Sequence, residues 1–463
     1  MHGHILRDLS LHDRARMQES ARRRRLLEGV WEQDLIEAMA QYLSPEQLAA
    51  WGRPELSANT FRSVCTQLAV LYQQAPVIDH AETPSAATMR ELTASVWPEA
   101  GQFQRYVIGM RECFRRVDWS EGRLQVRIVP VDTVTAEASP DRPSEPHTVI
   151  EYRPREYRGS EILTRDVLSI NGDPVYRIES SDGKVDLTRE FLGEDYSGAA
   201  YPYRDSAGTP ILPYVLTHAI PTGRLFDAYE GAELVSGTLT VAALFVHWRH
   251  VVFDASWPQR YAVNARPAGM YSDPNSDENA TYVPTDPASL LLLEAANPEA
   301  AVNIGQFQPG GDPVKVGEAI HSYAAALAGE FDLSPSDIAR SHTSARSGYA
   351  IHILRDSQRN ASKRYEVGHR AGDVALMRAA AVLYNRFSGS APIAEDGYTI
   401  RYQPIPLSVE ERKTRIEEYR IRAELGTASV VQFLAEMEGI TEEEARSRLE
   451  VIRQDRIRYG ISQ

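Results

Sequence analysis

The chain is 463 residues long, with 43% apolar and 25% charged residues and a formal net charge of −14. At roughly 100–200 residues per domain this composition suits a soluble chain of two to four folded units or one elongated subunit. The acidic balance excludes a protein that grips duplex DNA by neutralising phosphates, because that affinity follows the count of Lys and Arg. It leaves room for a protein that surrounds DNA and lets it slide.

Cys65 and Cys113 are too few for a disulfide framework, and no CxxC or Cys/His cluster indicates zinc, so a reduced intracellular place of folding is expected. The opening Met-His-Gly-His-Ile-Leu-Arg-Asp lacks the apolar core of a signal peptide. Residues 5–51 read as helices. The basic run Arg22 to Arg25 is expected on a solvated helix face rather than in a nucleic-acid patch. Ser44, followed by Pro45 and Gln47, is an N-cap with proline at the first helical position and an acceptor at the third. Phe61, Val64, Leu68 and Leu71 recur at helical spacing, which predicts a helix over 58–74 that ends before Pro76. Another helix is expected over 100–114.

Alternation of apolar and polar residues then predicts strands over 124–129, 148–153, 163–170, 175–179 and 211–216, with Asn171-Gly172 and Asp182-Gly183 as turn pairs. The span 118–217 is thus a β-rich unit set among helices. From Arg224 to Phe253 no proline interrupts an apolar stripe of helical period, which predicts one long helix. Its segment 234–253 is apolar enough to raise a membrane question. His247, Arg249 and His250 would each be costly in hydrocarbon, so a buried interface helix is the better reading.

Residues 254–312 form a Pro/Asn/Asp/Gly-rich insert with short strands expected over 260–264 and 301–307. Its acids include Asp273, Asp277 and Glu278, against only Arg260 and Arg266. A helix over 314–331, a loop over 332–345 and a very long helix to Phe387 follow. The end of the chain holds two or three short helices, marked by Gly426 and Gly439 and by a capping box of Thr441 and Glu444.

No phosphate-binding loop, dinucleotide fingerprint, nucleophile elbow or HExxH motif is present. His247 and His250 lie three apart on a helix, but no neighbouring carboxylate completes a metal set, so a packed pair is favoured. The C-terminal helices fail as a DNA reader, because the turn that should approach phosphate is Glu442-Glu443-Glu444, which suits only the dipole of a structural helix.

Four stretches give a recognisable order of parts. They are Leu212-Pro-Tyr-Val-Leu-Thr-His with Phe226-Asp-Ala-Tyr-Glu-Gly-Ala-Glu-Leu-Val-Ser-Gly, the helix pair 224–253 and 314–331 around an insert, Ser347-Gly-Tyr-Ala-Ile with Asn360-Ala-Ser-Lys363, and a tail with Glu417-Glu-Tyr-Arg, Leu425-Gly-Thr-Ala-Ser429 and Gly439-Ile-Thr-Glu-Glu-Glu-Ala445. In this order the chain resembles tailed-bacteriophage portal proteins, over roughly residues 210–460.

The resemblance implies an α+β, mainly helical portal-protein fold with long stem and spine helices, a β-rich wing unit and a small α/β clip insert. It implies a wing over 1–223, stem helices over 224–253 and 313–331 around a clip over 254–312, and a tunnel loop over 332–345. A spine helix and strand over 346–403 and a crown over 404–463 complete the plan. The implied function is a non-enzymatic ring of about twelve copies at a capsid vertex, whose weak contacts add around the annulus. Double-stranded DNA would pass through it during packaging and ejection.

The implied partners are the terminase large subunit, a head–tail adaptor, and the major capsid and scaffold proteins, with no membrane, metal or cofactor, in the virion after assembly in the host cytoplasm. Tunnel-loop candidates are Ser334, Ser336, Arg340, Ser341, His342, Thr343, Ser344 and Arg346, small hydroxyls and a few cations that allow transient phosphate contacts. Clip candidates for partner docking are Asp273, Asp277, Glu278, Arg260 and Arg266. Ala361, Gly368, Ala371, Gly372, Ala375 and Ala379 to Ala381 make the spine slender enough for close packing between or within subunits. Two other readings stand beside the portal: an enzyme with an unrecognised site on 118–217, and a capsid-assembly protein without a channel.

Overall fold

The computed structural model describes residues 9–51, 59–227, 231–256, 260–267, 293–295, 297, 299, 301–306, 312–331, 333, 348–405, 409–438 and 440–459. They divide into two units, one of Met1–Trp31, Phe61–Val235 and Ala328–Gln463, the other of Glu32–Thr60 and Ser236–Leu327.

The chain enters through α1 (Leu11–Glu28), which starts where the Ser10 hydroxyl accepts from Asp13 N at 3.1 Å and stops where Gly29 adopts a left-handed conformation. Arg22 to Arg25 do not form a solvated face. Arg23 is 1% exposed and donates to Glu19 and to the Gly109 carbonyl, and Arg24 pairs with the buried Asp132 at 2.9 Å. The helix packs against the helix that ends at Met110 and against the turn Val131–Thr133, which supply the Gly109 and Asp132 acceptors, and a helical wheel cannot reveal them.

Next come α2 (Glu32–Met39) and α3 (Pro45–Trp51). The cap of α3 is reciprocal, with Gln47 N donating to Ser44 Oγ and Ser44 N to Gln47 Oε1. After α4 (Thr60–Leu68), β1 (Val77–Asp79) and α5 (Thr83–Thr93), the helix expected over 100–114 proves to be α6 (Trp97–Met110). Arg111, at φ +75°, breaks it. Phe114 therefore belongs to β2 (Glu112–Ser120), the strand that the sequence reading took for the end of a helix.

The β-rich region continues as β3 (Arg123–Val129), β4 (Val134–Ala138), β5 (Pro146–Tyr157), β6 (Ser160–Ser169), β7 (Val175–Ser180), the short α7 (Thr188–Leu192), β8 (Tyr196–Ser197) and β9 (Tyr214–His218). Two antiparallel sheets result, one in the order β4-β5-β6-β7-β8 and one in the order β3-β2-β9. Gly172 and Gly183 take the positive φ expected of the two turn pairs.

The helix predicted from Arg224 begins later, as α8 (Ala232–Ser256), just after Gly231 at φ +79°. Residues 224–227 are not helical, and Asp227 N is held instead by Glu112 Oε2 at 3.2 Å. Then follow β10 (Arg260–Val263), β11 (Ala265–Pro267), β12 (Leu293–Ala295), β13 (Asn303–Gln306) and α9 (Pro313–Gly329).

The spine α10 (Gly348–Phe387) has 40 residues, about 60 Å of helix at the usual rise. It lies on β9 and β2 of its own chain. A Cβ on Gly368 would fall 2.1 Å from the His218 carbonyl oxygen, and one on Gly372 2.1 Å from Thr217 Oγ1. Those small residues therefore serve packing within the chain, while Ala371 and Ala375 are exposed. β14 (Thr399–Arg401) returns to pair with β1, and α11 (Val409–Glu424), α12 (Val430–Glu438) and α13 (Glu442–Arg458) complete the chain. Both halves of the Thr441/Glu444 capping box form, and Glu444 also binds Arg401, which together hold its carboxyl at about 2.

Candidate functional site

The span from α8 to α9 is a nested hairpin. Each element pairs with its mirror image in sequence: α8 with α9, β10 with β13, and β11 with β12. Side chains set the antiparallel helix register. Leu327 faces Gly237, where a Cβ would fall 2.5 Å from its methyl; Phe245 meets His321 edge-on; Trp248 Nε1 donates to the Pro313 carbonyl at 2.7 Å. Val241, Ile320 and Leu327 form the dry seam. Asn264, at φ +57°, makes the kink between the two ribbons, and its amide exchanges hydrogen bonds with the Asn297 backbone. Asn tolerates the left-handed region because its short polar side chain bonds locally.

Leu244, Phe253, Val314 and Tyr323 stay exposed on this hairpin. Among the described residues no helix is long and apolar enough to cross a membrane.

Of the predicted docking residues, Arg260 stands opposite Gln306 in the β10–β13 ladder and Arg266 opposite Glu294 in the β11–β12 ladder. Asp273, Asp277 and Glu278 lie outside the described residues, as do all the tunnel-loop candidates, Ser334, Ser336, Arg340, Ser341, His342, Thr343, Ser344 and Arg346. Of the 332–345 segment, Leu333 is described; it is buried, and its N donates to the Ala328 carbonyl. The described portions of the insert include the four short strands β10 to β13. No group of three His, Cys, Asp or Glu that could hold a metal occurs among the described residues.

What the sequence did not reveal is how much charge the other unit buries. On the two sheets Arg116 binds Asp118 at 2.9 Å and Asp166 at 3.0 Å, and donates to the hydroxyls of Tyr176 and Tyr214. Arg127 grips Glu151 through two bonds of 2.7 and 2.8 Å, and Arg155 binds Asp166. Burial pushes the Glu151 carboxyl up, but Arg127 and Arg116 outweigh it and hold the group below the usual range. Three guanidinium groups thus face three carboxylates, and each charge is spent on a neighbour. This is a brace between sheets.

A second node joins α10 to its surroundings. Asp373 binds Arg115 at 2.7 Å and accepts from Tyr72 at 2.7 Å and Tyr402 at 2.6 Å, and Tyr72 also meets His369 Nδ1 at 3.0 Å. Burial drives His369 down to about 4 despite the Asp373 charge, so the ring is neutral at physiological pH. The available signal was the i, i+4 pair His369 and Asp373, beside Gly368 and Gly372 on one helix face.

Glu112 is the third buried group, fully enclosed near Arg16 and Arg23, and desolvation raises it to about 7. Its folded value lies above its unfolded one. The linked stability is therefore present below about pH 4.5 and is lost as pH rises through 7, about 3 kcal/mol in all. Glu112→Gln keeps an acceptor for Asp227 N and is expected to flatten this slope. Melting curves at pH 5 and pH 8 should show the variant losing less stability between the two than the parent; parallel profiles would reject the assignment.

No protein-family model matches the chain, and no curated protein matches it either. Among solved structures, it is similar to a chain in the virion of a native gene transfer agent particle. That match has 13% identity and a TM-score of 0.40, and covers 90% of this chain and 99% of the other. A second similar chain comes from the neck of an empty gene transfer agent particle, at 11% identity and a TM-score of 0.43, over 83% of this chain and 90% of that one.

Proposed function

We propose that this chain is a portal-type subunit: a non-enzymatic protein that closes into a ring at a capsid vertex and passes double-stranded DNA. The observation that carries this reading is the nested hairpin of α8 to α9, followed in the chain by a 40-residue helix. Self-contained globules rarely spend two long helices on a narrow hairpin that leaves Leu244, Phe253, Val314 and Tyr323 uncovered. Repetition around an axis covers such surfaces, because a head-to-tail interface closes when its rotation divides the circle.

The charge pattern fits the same role. Along α8 and α9 only Glu233, Arg249, Asp254, Lys315 and Glu318 are formally charged, and the whole chain is acidic. A channel of this kind makes no deep electrostatic well for phosphate, so DNA slides instead of binding. In this reading the β-ribbon end of the hairpin docks terminase and then adaptor proteins, and ATP hydrolysis belongs to the terminase. Electron micrographs of the purified chain are expected to show closed rings with a central hole wide enough for duplex DNA. A strictly monomeric protein at high concentration would overturn the proposal.

A further inference from the structure

We infer that neighbouring copies are joined through the crown, the acidic edge of α11 in one copy seating in a basic-rimmed apolar cleft of the next. This rests on the ring reading above and names the surface that would close it.

Helix α11 is anchored along one narrow line. Glu411 is buried against Arg359 of α10 at 2.6 Å, Arg415 is half-buried, and Tyr419 stacks on Phe433 of α12 with ring centroids 4.1 Å apart. These positions recur every four residues, so they form a single stripe. The other described side chains of the helix are exposed, and this outward surface is divided by charge. At 100° per residue, Arg412, Ile416 and Arg420 fall on one flank, Glu417, Ile421, Glu424 and the following Leu425 on the other, and Lys413 on the border between them. Ile416, Ile421 and Leu425 are 51%, 56% and 73% exposed, which is costly for a helix meant to remain in water.

The basic flank borders a cleft of about 810 Å³ between α10, the segment after β14, α11 and α12. Its floor is apolar, with Ile405, Ile416, Phe433 and Met437. Lys363, Arg412 and Arg415 stand on its rim. The acids that also line it are mostly engaged: Glu366 pairs with Arg370 and Glu438 with Arg448, which leaves Glu436. An occupant must therefore be apolar in the middle and acidic at its edges.

The opposite flank of α11 has that chemistry: around the helix Ile421 and the following Leu425 lie between Glu417 and Glu424 on one side and Glu418 on the other. Cleft and edge lie on different sides of one helix, so no copy can satisfy itself. The match is head-to-tail, and a heterologous contact of this kind builds a ring. The intrahelical pairs Arg420–Glu424 and Arg422–Glu418 are solvent-exposed and contribute little, so they do not oppose exchange for a partner.

The test uses two full-length variants. Lys363→Glu/Arg412→Glu reverses the cleft, and Glu417→Lys/Glu424→Lys reverses the edge. Each alone is expected to need on the order of tenfold more protein for half-assembly by mass photometry, since like charges then face each other. An equimolar mixture should recover rings, because alternating copies restore every contact, and so should the chain carrying all four changes. Unchanged helical content by circular dichroism separates this from misfolding. If both variants assemble at the parental concentration, or the mixture fails to recover, this interface is wrong while the ring reading stands. If the parent chain forms no ring, both fall together.

Discussion

Asp373→Ala is expected to destabilise the unit built on α10 by about 3–5 kcal/mol, the usual cost of stranding one member of a buried ion pair. Arg115 and Asp373 are 2% and 0% exposed at the side chain, so no water replaces the lost carboxylate. The hydroxyls of Tyr72 and Tyr402 lose their acceptor at the same time. These losses share one site and do not simply add. Urea titration of the full chain should show the effect as a lower midpoint.

The double variant Arg115→Met/Asp373→Leu tests the mechanism, because removing both charges should recover at least half of the loss. A single-variant change below about 1 kcal/mol would mean that the pair is not closed to solvent. Tyr402 lies between β14 and α11, so loosening this node should also raise amide exchange around residues 399–405.

Gly368→Val is expected to cost about 3 kcal/mol, the upper part of the range for forcing volume into a packed contact. The obstruction is backbone. The His218 carbonyl oxygen would lie 2.1 Å from the new Cβ and the Ala219 carbonyl oxygen 3.2 Å from it, and neither can swing aside as a side chain does. α10 must lift from β9, which should loosen the neighbouring Asp373 node as well. Gly101 is the internal control. It also sits in a helix, but a Cβ there meets nothing within 4 Å, so Gly101→Ala should stabilise by about 1 kcal/mol. Thermal melts that place both variants on the same side of the parent would contradict this account of the spine.

Much of the local grammar was legible in the letters. The caps at Ser44 and Thr441, the glycine turns at Gly172 and Gly183 and the length of α10 depend on residues within four positions of each other, and each formed. The failures came where distant groups decided. β2 has both faces covered, so it lacks the alternation that betrays a strand. Its consecutive Arg115 and Arg116 look solvent-seeking until Asp373 and Asp166 are brought from far along the chain. The basic run on α1 misled in the same way, since Asp132 and the Gly109 carbonyl are invisible to a helical wheel. The start of α8 was placed too early because nothing in residues 224–227 announces that Glu112 holds them out of the helix.

The caps, the turn pairs and the long helices on either side of the insert were thus legible in the sequence alone, through periodicity and capping that act over a few residues. Tertiary structure decided which charges are interior, that the spine's glycines meet their own sheet, and which stripe of α11 is anchored. Burial makes an ion pair strong and an unpaired apolar flank costly, and burial is a property of neighbours that only the folded chain supplies.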